Sequence, residues 1–341
     1  MVRVKKPSKT VSIEDVARLA GVSITTVSRV INKMPSVKEK NRIGVLDAVK
    51  KLKFEPSVLA QRLATGRSNV VALVIPRYEG IFYSFYALEL IKGIGTLCEI
   101  MKFDLLLHLT DGGSPFNLKG VGGIIFADII SNRNQLEDAV AAGIPTVVLN
   151  NYVEDADVTC IAVDNTGGGE SAVDYLAGLG HQKIAHITGD IITQAAAQRL
   201  EGYKRALAKY KIPFKEEYLF KTDYSRGQAR AAAERMITMS DRPTAVFVAS
   251  DPMALEVMAV AREHGISIPS DLSIVGFDDN PSGLYGPVAL TTVRQPFIKM
   301  AQDSVKELVQ LMSQKKSKAV TAKKIILPTQ LVIRESCQAL K

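Results

Sequence analysis

Apolar and polar positions follow two rhythms along this chain, and the change between them divides it. From Ser12 to Lys53 the period is helical. Ile13, Val16, Ala17 and Ala20 share one face, Val27, Val30 and Ile31 a second, and Ile43, Leu46, Val49 and Leu52 a third. Ser12 with Asp15 three residues on predicts a capping box, Gly21 permits the left-handed turn that ends a helix, and Ser23 is the next N-cap. Two short helices joined by a glycine turn predict a helix-turn-helix, whose second helix can lie in a DNA major groove. A third helix is predicted from about Lys38 to Lys53, stopped by Glu55-Pro56.

From Asn69 the rhythm changes. Strand-like apolar runs occupy residues 70–75, 104–109, 121–126, 146–150, 159–163, 183–188, 245–249 and 272–276. Helical patterns lie between most of them, at 86–101, 168–179, 195–210, 226–237 and 252–264. This alternation predicts an α/β body with parallel sheets. So many units predict two doubly wound subdomains, with a ligand crevice at the strand carboxyl ends. The domains expected are 1–56 as a small all-α head, 57–67 as a short helical linker, and 68–337 as the body.

Charge sharpens the division. Residues 1–67 hold 15 Lys+Arg against 5 Asp+Glu, whereas the remainder holds 28 against 30. A basic head on a near-neutral body is the electrostatic footprint of a nucleic-acid-binding module. On the second helix the residues off the apolar stripe are Ile24, Thr25, Thr26, Ser28 and Arg29. Short hydroxyls suit phosphate oxygens, arginine can pair bidentately with guanine, and Ile24 can pack on a thymine methyl.

The wording Val-Ser-x-x-Thr-Val-Ser-Arg-Val-x-Asn, Val22 to Asn32, resembles the lactose/galactose-repressor family of bacterial transcription regulators. The resemblance runs from Ser12 to Cys337. It implies a periplasmic-binding-protein (type 1) body crossed three times by the chain, with subdomains near 68–163 plus 294–324 and 164–293 plus 325–337. It implies a homodimer on a pseudo-palindromic double-stranded operator, with Ser12, Ser23, Asn32 and Asn41 joining the second-helix residues at the DNA. Residues 57–67 resemble the family's hinge helix, in which Leu63, beside Ala64, wedges into the minor groove; such a wedge bends the duplex. The closing strand ends near Cys337 without a leucine-heptad extension, so a dimer is expected rather than a tetramer.

The resemblance also implies a small-molecule effector, first a sugar, then a sugar phosphate or a purine, that releases or strengthens a repressor's hold on its operator. Sugar recognition needs planar bidentate groups for hydroxyls and an aromatic face for C–H surface. By resemblance Arg199, Asp278 and Asn150 bind hydroxyls, Tyr224 and Phe297 line the pocket, and Ser250 and Gln295 adjoin it. Asp251 and Asp279 are expected to cap the helix or turn that follows them. The chain departs from the family in two places. Its loop from Arg77 to Tyr86 is unusually aromatic, which nominates Phe82 and Tyr83 for the pocket. Residues 110–120, Thr-Asp-Gly-Gly-Ser-Pro-Phe-Asn-Leu-Lys-Gly, are too rich in glycine for the helix relatives place there, so an irregular crossover and a less covered sheet face are expected.

Rival classes fare worse. No GxSxG, HExxH or phosphate-binding lysine pattern is present, and Gly167-Gly168-Gly169 opens a helix without dinucleotide spacing. No catalytic residue, cofactor or metal site is expected. Cys98, Cys160 and Cys337 lie far apart without a CxxC pair and fit a reducing cytoplasm. No apolar run reaches membrane-spanning length and no signal region follows the basic N-terminus, which counts against a secreted solute-binding protein.

Overall fold

The computed structural model describes residues 11–31, 34–54, 68–77, 81–115, 117, 119–313 and 322–340. Asn32, Leu63, Ala64 and the whole predicted hinge, residues 57–67, lie outside them. The chain forms two compact units, Met1–Ser68 and Asn69–Lys341.

In the first unit α1 (Ile13–Ala20), α2 (Ile24–Ile31) and α3 (Glu39–Leu52) enclose a core of Val16, Ala17, Val27, Val30, Val45 and Ala48. The capping box forms as predicted: Ser12 N–H donates to Asp15 Oδ2 at 3.0 Å, and Asp15 N–H donates back to Ser12 Oγ. Gly21 takes φ +66° and turns the chain into α2. The inner face of α3 differs from expectation. Val45, Ala48, Val49 and Leu52 point inward, while Ile43 and Leu46 are 56% and 54% exposed. Two apolar stripes run along this helix about 100° apart, and the one offering the small Ala48 lets the three short helices approach.

The second unit holds two six-stranded sheets. The first is ordered β11-β5-β4-β3-β1-β2, from β1 (Val70–Pro76), β2 (Asp104–Thr110), β3 (Gly123–Phe126), β4 (Thr146–Leu149), β5 (Thr159–Val163) and β11 (Lys324–Leu327), all parallel. One face packs α4 (Phe85–Met101) and α10 (Phe297–Ser313), and the other packs α5 (Arg133–Ala141). The second sheet is ordered β12-β10-β9-β8-β6-β7. It is built from β6 (Ile184–Ile187), β7 (Leu219–Phe220), β8 (Ala245–Val248), β9 (Ser273–Asp278), β10 (Thr291–Arg294) and β12 (Gln330–Val332). Only the β10–β12 pair is antiparallel. Helices α6 (Asn165–Gly178) and α7 (Gln194–Lys209) cover one face, α8 (Arg226–Ile237) and α9 (Asp251–Glu263) the other.

The chain passes between the subdomains three times: after Val163, after Arg294 and after Leu327. The last crossing falls later than the sequence suggested. Residues 325–327 had been placed with the second subdomain, but they pair with Ile161–Val163 in the first sheet. Their apolar run satisfies that sheet edge, and Pro328 ends it.

The crossover from β2 to β3 is irregular, as the glycines predict. No helix stands there among the described residues. Gln135 on α5 pins the loop instead, donating through Nε2 to Thr110 Oγ1 at 2.8 Å and Ser114 O at 2.6 Å. Edge strand β2 is thinly covered, with Leu106 and Leu107 42% and 38% exposed. Among the described residues no helix is long and apolar enough to cross a membrane, and no group of His, Cys, Asp and Glu could hold a metal ion.

A DNA-reading helix and a polar cleft

Helix α2 presents two chemically different sides. Val27 and Val30 are sealed in the head, while Ser23, Ile24, Thr25 and Arg29 are exposed and Thr26 and Ser28 half-buried. Ser23 caps the helix, accepting from Thr26 N–H at 3.2 Å, and the two hydroxyls lie 2.9 Å apart. Cap and turn thus fix the N-terminal residues of α2, the part of such a helix that reaches base edges. Ser12 is spent on its own capping box and sits half-buried as the N-cap of α1. Asn41 sits half-buried in the first turn of α3 behind Lys38, which makes no side-chain cap.

In the second unit the site is built from strand ends. Asn150 follows β4, Tyr224 follows β7, Ser250 follows β8, Asp278 ends β9, and Gln295 begins the crossing after β10. Three of these, Asn150 (φ +58°), Tyr224 (φ +68°) and Asp278 (φ +121°), hold backbone conformations that L-residues avoid, as does Asp279 (φ +56°). Such conformations cost about 1–3 kcal/mol each and cluster at ligand sites, where the surrounding fold imposes them.

Arg199 is placed by α7 and is 4% exposed. The glycine run that opens α6, Gly167-Gly168-Gly169, serves packing here. A Cβ on Gly169 would lie 2.6 Å from Arg199 O, and one on Gly202 2.2 Å from Thr166 O, so glycine at both lets α6 and α7 touch backbone to backbone. The guanidinium donates through Nε to Asn165 Oδ1 at 2.9 Å and through Nη1 to Ala249 O at 2.6 Å, and stacks 3.9 Å from the Phe277 ring centre. Burial raises the pKa of the Tyr224 phenol, and the Arg199 charge opposes it. The ring lies against Gly189, where a Cβ would fall 1.9 Å from Tyr224 Cζ.

The carboxylates there are held against desolvation. Burial pushes Asp278 upward, opposed by the Arg199 charge and by Gln295 Nε2, which donates to Asp278 Oδ1 at 2.6 Å. Burial pushes Asp128 to about 6, against hydrogen bonds from Asn151 and from the Ile129 and Ile130 amides. Asp251 rises well above the ordinary range through burial and then the Asp278 charge. It does not cap its own helix: it accepts from Thr292 Oγ1 at 2.6 Å and Asn280 N–H at 2.7 Å, tying β9 to β10. Nor does Asp279 cap a turn; it pairs with Arg294 and Arg334. Asp278, Gln295 and Phe297 line a cavity of about 220 Å³ with Phe85. Among the described residues, buried Gln295 Oε1 and Asn150 Oδ1 have no hydrogen-bond donor.

Gln194, at the start of α7, clasps the other subdomain. Its amide accepts from Tyr152 N–H and donates to Tyr152 O, both at 2.8 Å.

Of the ligand residues nominated from sequence, Arg199, Tyr224 and Asp278 converge, Gln295 and Phe297 adjoin Asp278, and Ser250 is buried one residue beyond the Ala249 carbonyl that Arg199 binds. Phe82 and Tyr83 do not join them. They sit 60% and 91% exposed on a 3₁₀ turn whose buried residue is Ile81. The inward aromatics of that loop are Phe85 and Tyr86, whose ring centres lie 6.0 and 5.2 Å from that of Phe297. Sequence reading missed Asp128, Asn165 and Gln194. Asp128 had a usable signal, since it stands just past a strand end on the cleft side.

Comparison with known proteins agrees with this geometry. Residues 12–57 match the bacterial regulatory proteins, lacI family, and residues 173–337 match the periplasmic binding protein-like domain. The chain is 32% identical over 339 residues to the probable HTH-type transcriptional repressor ExuR of Bacillus subtilis (strain 168), covering 97% of this chain and 99% of that one. It is similar in structure to the lac repressor dimer bound to operator and the anti-inducer ONPF, with a TM-score of 0.80, 26% identity and coverage of 97% and 100%. It is also similar to a complex of the transcriptional regulator CelR with cellobiose, with a TM-score of 0.72, 27% identity and coverage of 95% and 99%. These proteins are regulators of transcription and not enzymes.

Proposed function

The chain belongs to the lacI family of bacterial regulatory proteins, and on that premise we propose how its residues divide the work of a ligand-controlled repressor. It binds DNA sequence-specifically, acts as a homodimer on a pseudo-palindromic operator, and answers to a small carbohydrate-type effector. Residues 1–56 serve as the DNA-binding head, 57–67 as the hinge and 68–337 as the effector and dimerisation domain. In the head, Arg29, Thr25 and Ile24 read base edges, while Ser12, Ser23, Thr26, Ser28, Asn32 and Asn41 position the helix on phosphates. Leu63, next to Ala64, enters the minor groove. The protein works in the cytoplasm, where the chromosome is.

One observation carries the effector reading: Arg199 on α7, Tyr224 after β7 and Asp278 at the end of β9 converge on one side of the second sheet. Asn150, Ser250, Gln295 and Phe297 complete the wall, and the aromatic loop contributes through Phe85 and Tyr86, whose rings meet Phe297. A ligand bridging both subdomains favours the closed arrangement that Gln194 also favours. It changes DNA affinity only as far as it binds one closure state better than the other.

A thermal-shift panel of mono- and disaccharides, sugar phosphates and purines on the purified protein tests this. A sugar should raise the melting temperature by mass action. A purine hit with no response to any sugar would overturn the carbohydrate reading and keep the DNA-binding one.

A further inference from the structure

Hydrogen-bond supply in the cleft is one-sided. Asp278 Oδ1 accepts from Gln295 Nε2, and its second oxygen accepts nothing among the described residues. Gln295 is 6% exposed, and with its nitrogen spent on Asp278 its Oε1 is a buried acceptor without a donor. Asn150 Oδ1, on the other subdomain, is in the same condition. Asp128 stands on that subdomain too, bonded to Asn151, the neighbour of the Tyr152 that Gln194 clasps across the cleft. Its Oδ1 takes Asn151 Nδ2 and Ile129 N–H, both at 2.7 Å. Asp128 and Asp278 are only partly covered, so a molecule in the cleft can reach them.

Among the described residues, Arg199 is the cation whose charge acts on Asp278. It gives Nε and Nη1 to the neutral acceptors Asn165 and Ala249 and lies on Phe277. Of the cations lining the adjoining cavity, Arg294 is held by Asp279 and Lys299 by Asp303. An anionic ligand would therefore meet one guanidinium against two carboxylates and two carbonyl oxygens without donors. A hydroxyl or ammonium group supplies the donors that these atoms lack, and buried acceptors left without donors are costly.

We propose that Asp128 and Asp278, from opposite subdomains, jointly hold the effector through hydrogen bonds that it donates, and that this acceptor-rich lining admits neutral or amino sugars and rejects sugar phosphates and uronic acids. The proposal rests on the cleft being the effector site. It adds Asp128 to that site and sets the sign of charge the effector can carry.

Titration calorimetry on the full chain tests it with matched sets: glucose, galactose and mannose, each as the free sugar, the 2-amino sugar, the 6-phosphate and the uronic acid, with a disaccharide panel alongside. The parent or amino sugar of one set should bind, and its phosphate and uronic acid should bind at least about tenfold more weakly. Asp128→Asn should weaken the neutral sugar by about tenfold and narrow its lead over the uronic acid. A variant that merely disturbs packing would not change that ratio. A 6-phosphate or uronic acid binding as tightly as its parent overturns the proposal and leaves a carbohydrate effector standing. Silence across the whole panel, disaccharides included, overturns both.

Discussion

Arg29 stands exposed on α2 between two buried valines, so its guanidinium is free to turn toward a base edge while the helix beneath it is fixed. Arg29→Ala should cost about 1–3 kcal/mol of specific operator affinity, read by fluorescence anisotropy, with a smaller loss on random-sequence DNA. Equal loss on both would reduce Arg29 to a phosphate contact. Asp128 is the residue whose chemistry changes most with pH. Burial raises its pKa to about 6, above the roughly 3.9 of an unfolded aspartate. Between those values the folded chain binds more protons than the unfolded one, so this group lowers stability as pH rises from about 4 to about 6 and continues to cost stability above that. Asp128→Asn keeps an acceptor for Asn151 and the Ile129 amide but removes the charge. It should therefore raise the melting temperature at pH 7.5 and do so less at pH 5. A gain of the same size at both would show that the carboxylate is not strained by burial.

Among the elements, the β2–β3 crossover is held by a close contact that side chains cannot enter. Gly112 has φ +80°, and a Cβ there would fall 1.7 Å from Ser131 O. Gly112→Ala should cost at least about 2 kcal/mol, by backbone strain and the forced shift of the loop, seen as a lower denaturation midpoint. Elements of this kind show what a sequence exposes and what it hides. The capping box, the glycine turn and eight strands of the body, β1 to β6, β8 and β9, were legible because each is signalled by residues adjacent in the chain. Two-residue β7 was not, since Leu219-Phe220 is too short for a period, and the short β10 and β11 fall outside the eight apolar runs. The inward stripe of α3 was misread because two apolar stripes compete and tertiary contact chooses between them. The site followed the same rule. Tyr224 and Asp278 at strand ends, and Arg199 on α7, could be nominated by resemblance. Asp128 carried the same strand-end signal and was passed over, whereas the Gln194 clasp is a pairing across the cleft that no local pattern encodes.

At the scale of the whole molecule, function requires that closure of the body be a balance a ligand can tip. The Gln194–Tyr152 pair is one weight in it, two hydrogen bonds of about 0.5–1.5 kcal/mol each. Gln194→Ala should weaken effector affinity several-fold while leaving operator affinity of the ligand-free protein within about twofold; an unchanged effector affinity would remove this clasp from the closure balance. The basic head, with a balance of +10 over residues 1–67, supplies long-range attraction to DNA, and the cleft decides how well two heads are used together. The most direct measurement is an operator titration of the full-length protein at fixed salt, with and without a saturating sugar found by thermal shift. The account predicts a change in operator dissociation constant of about 5–150-fold, abolished in Arg199→Ala. An operator affinity that stays the same while the sugar is demonstrably bound would contradict it.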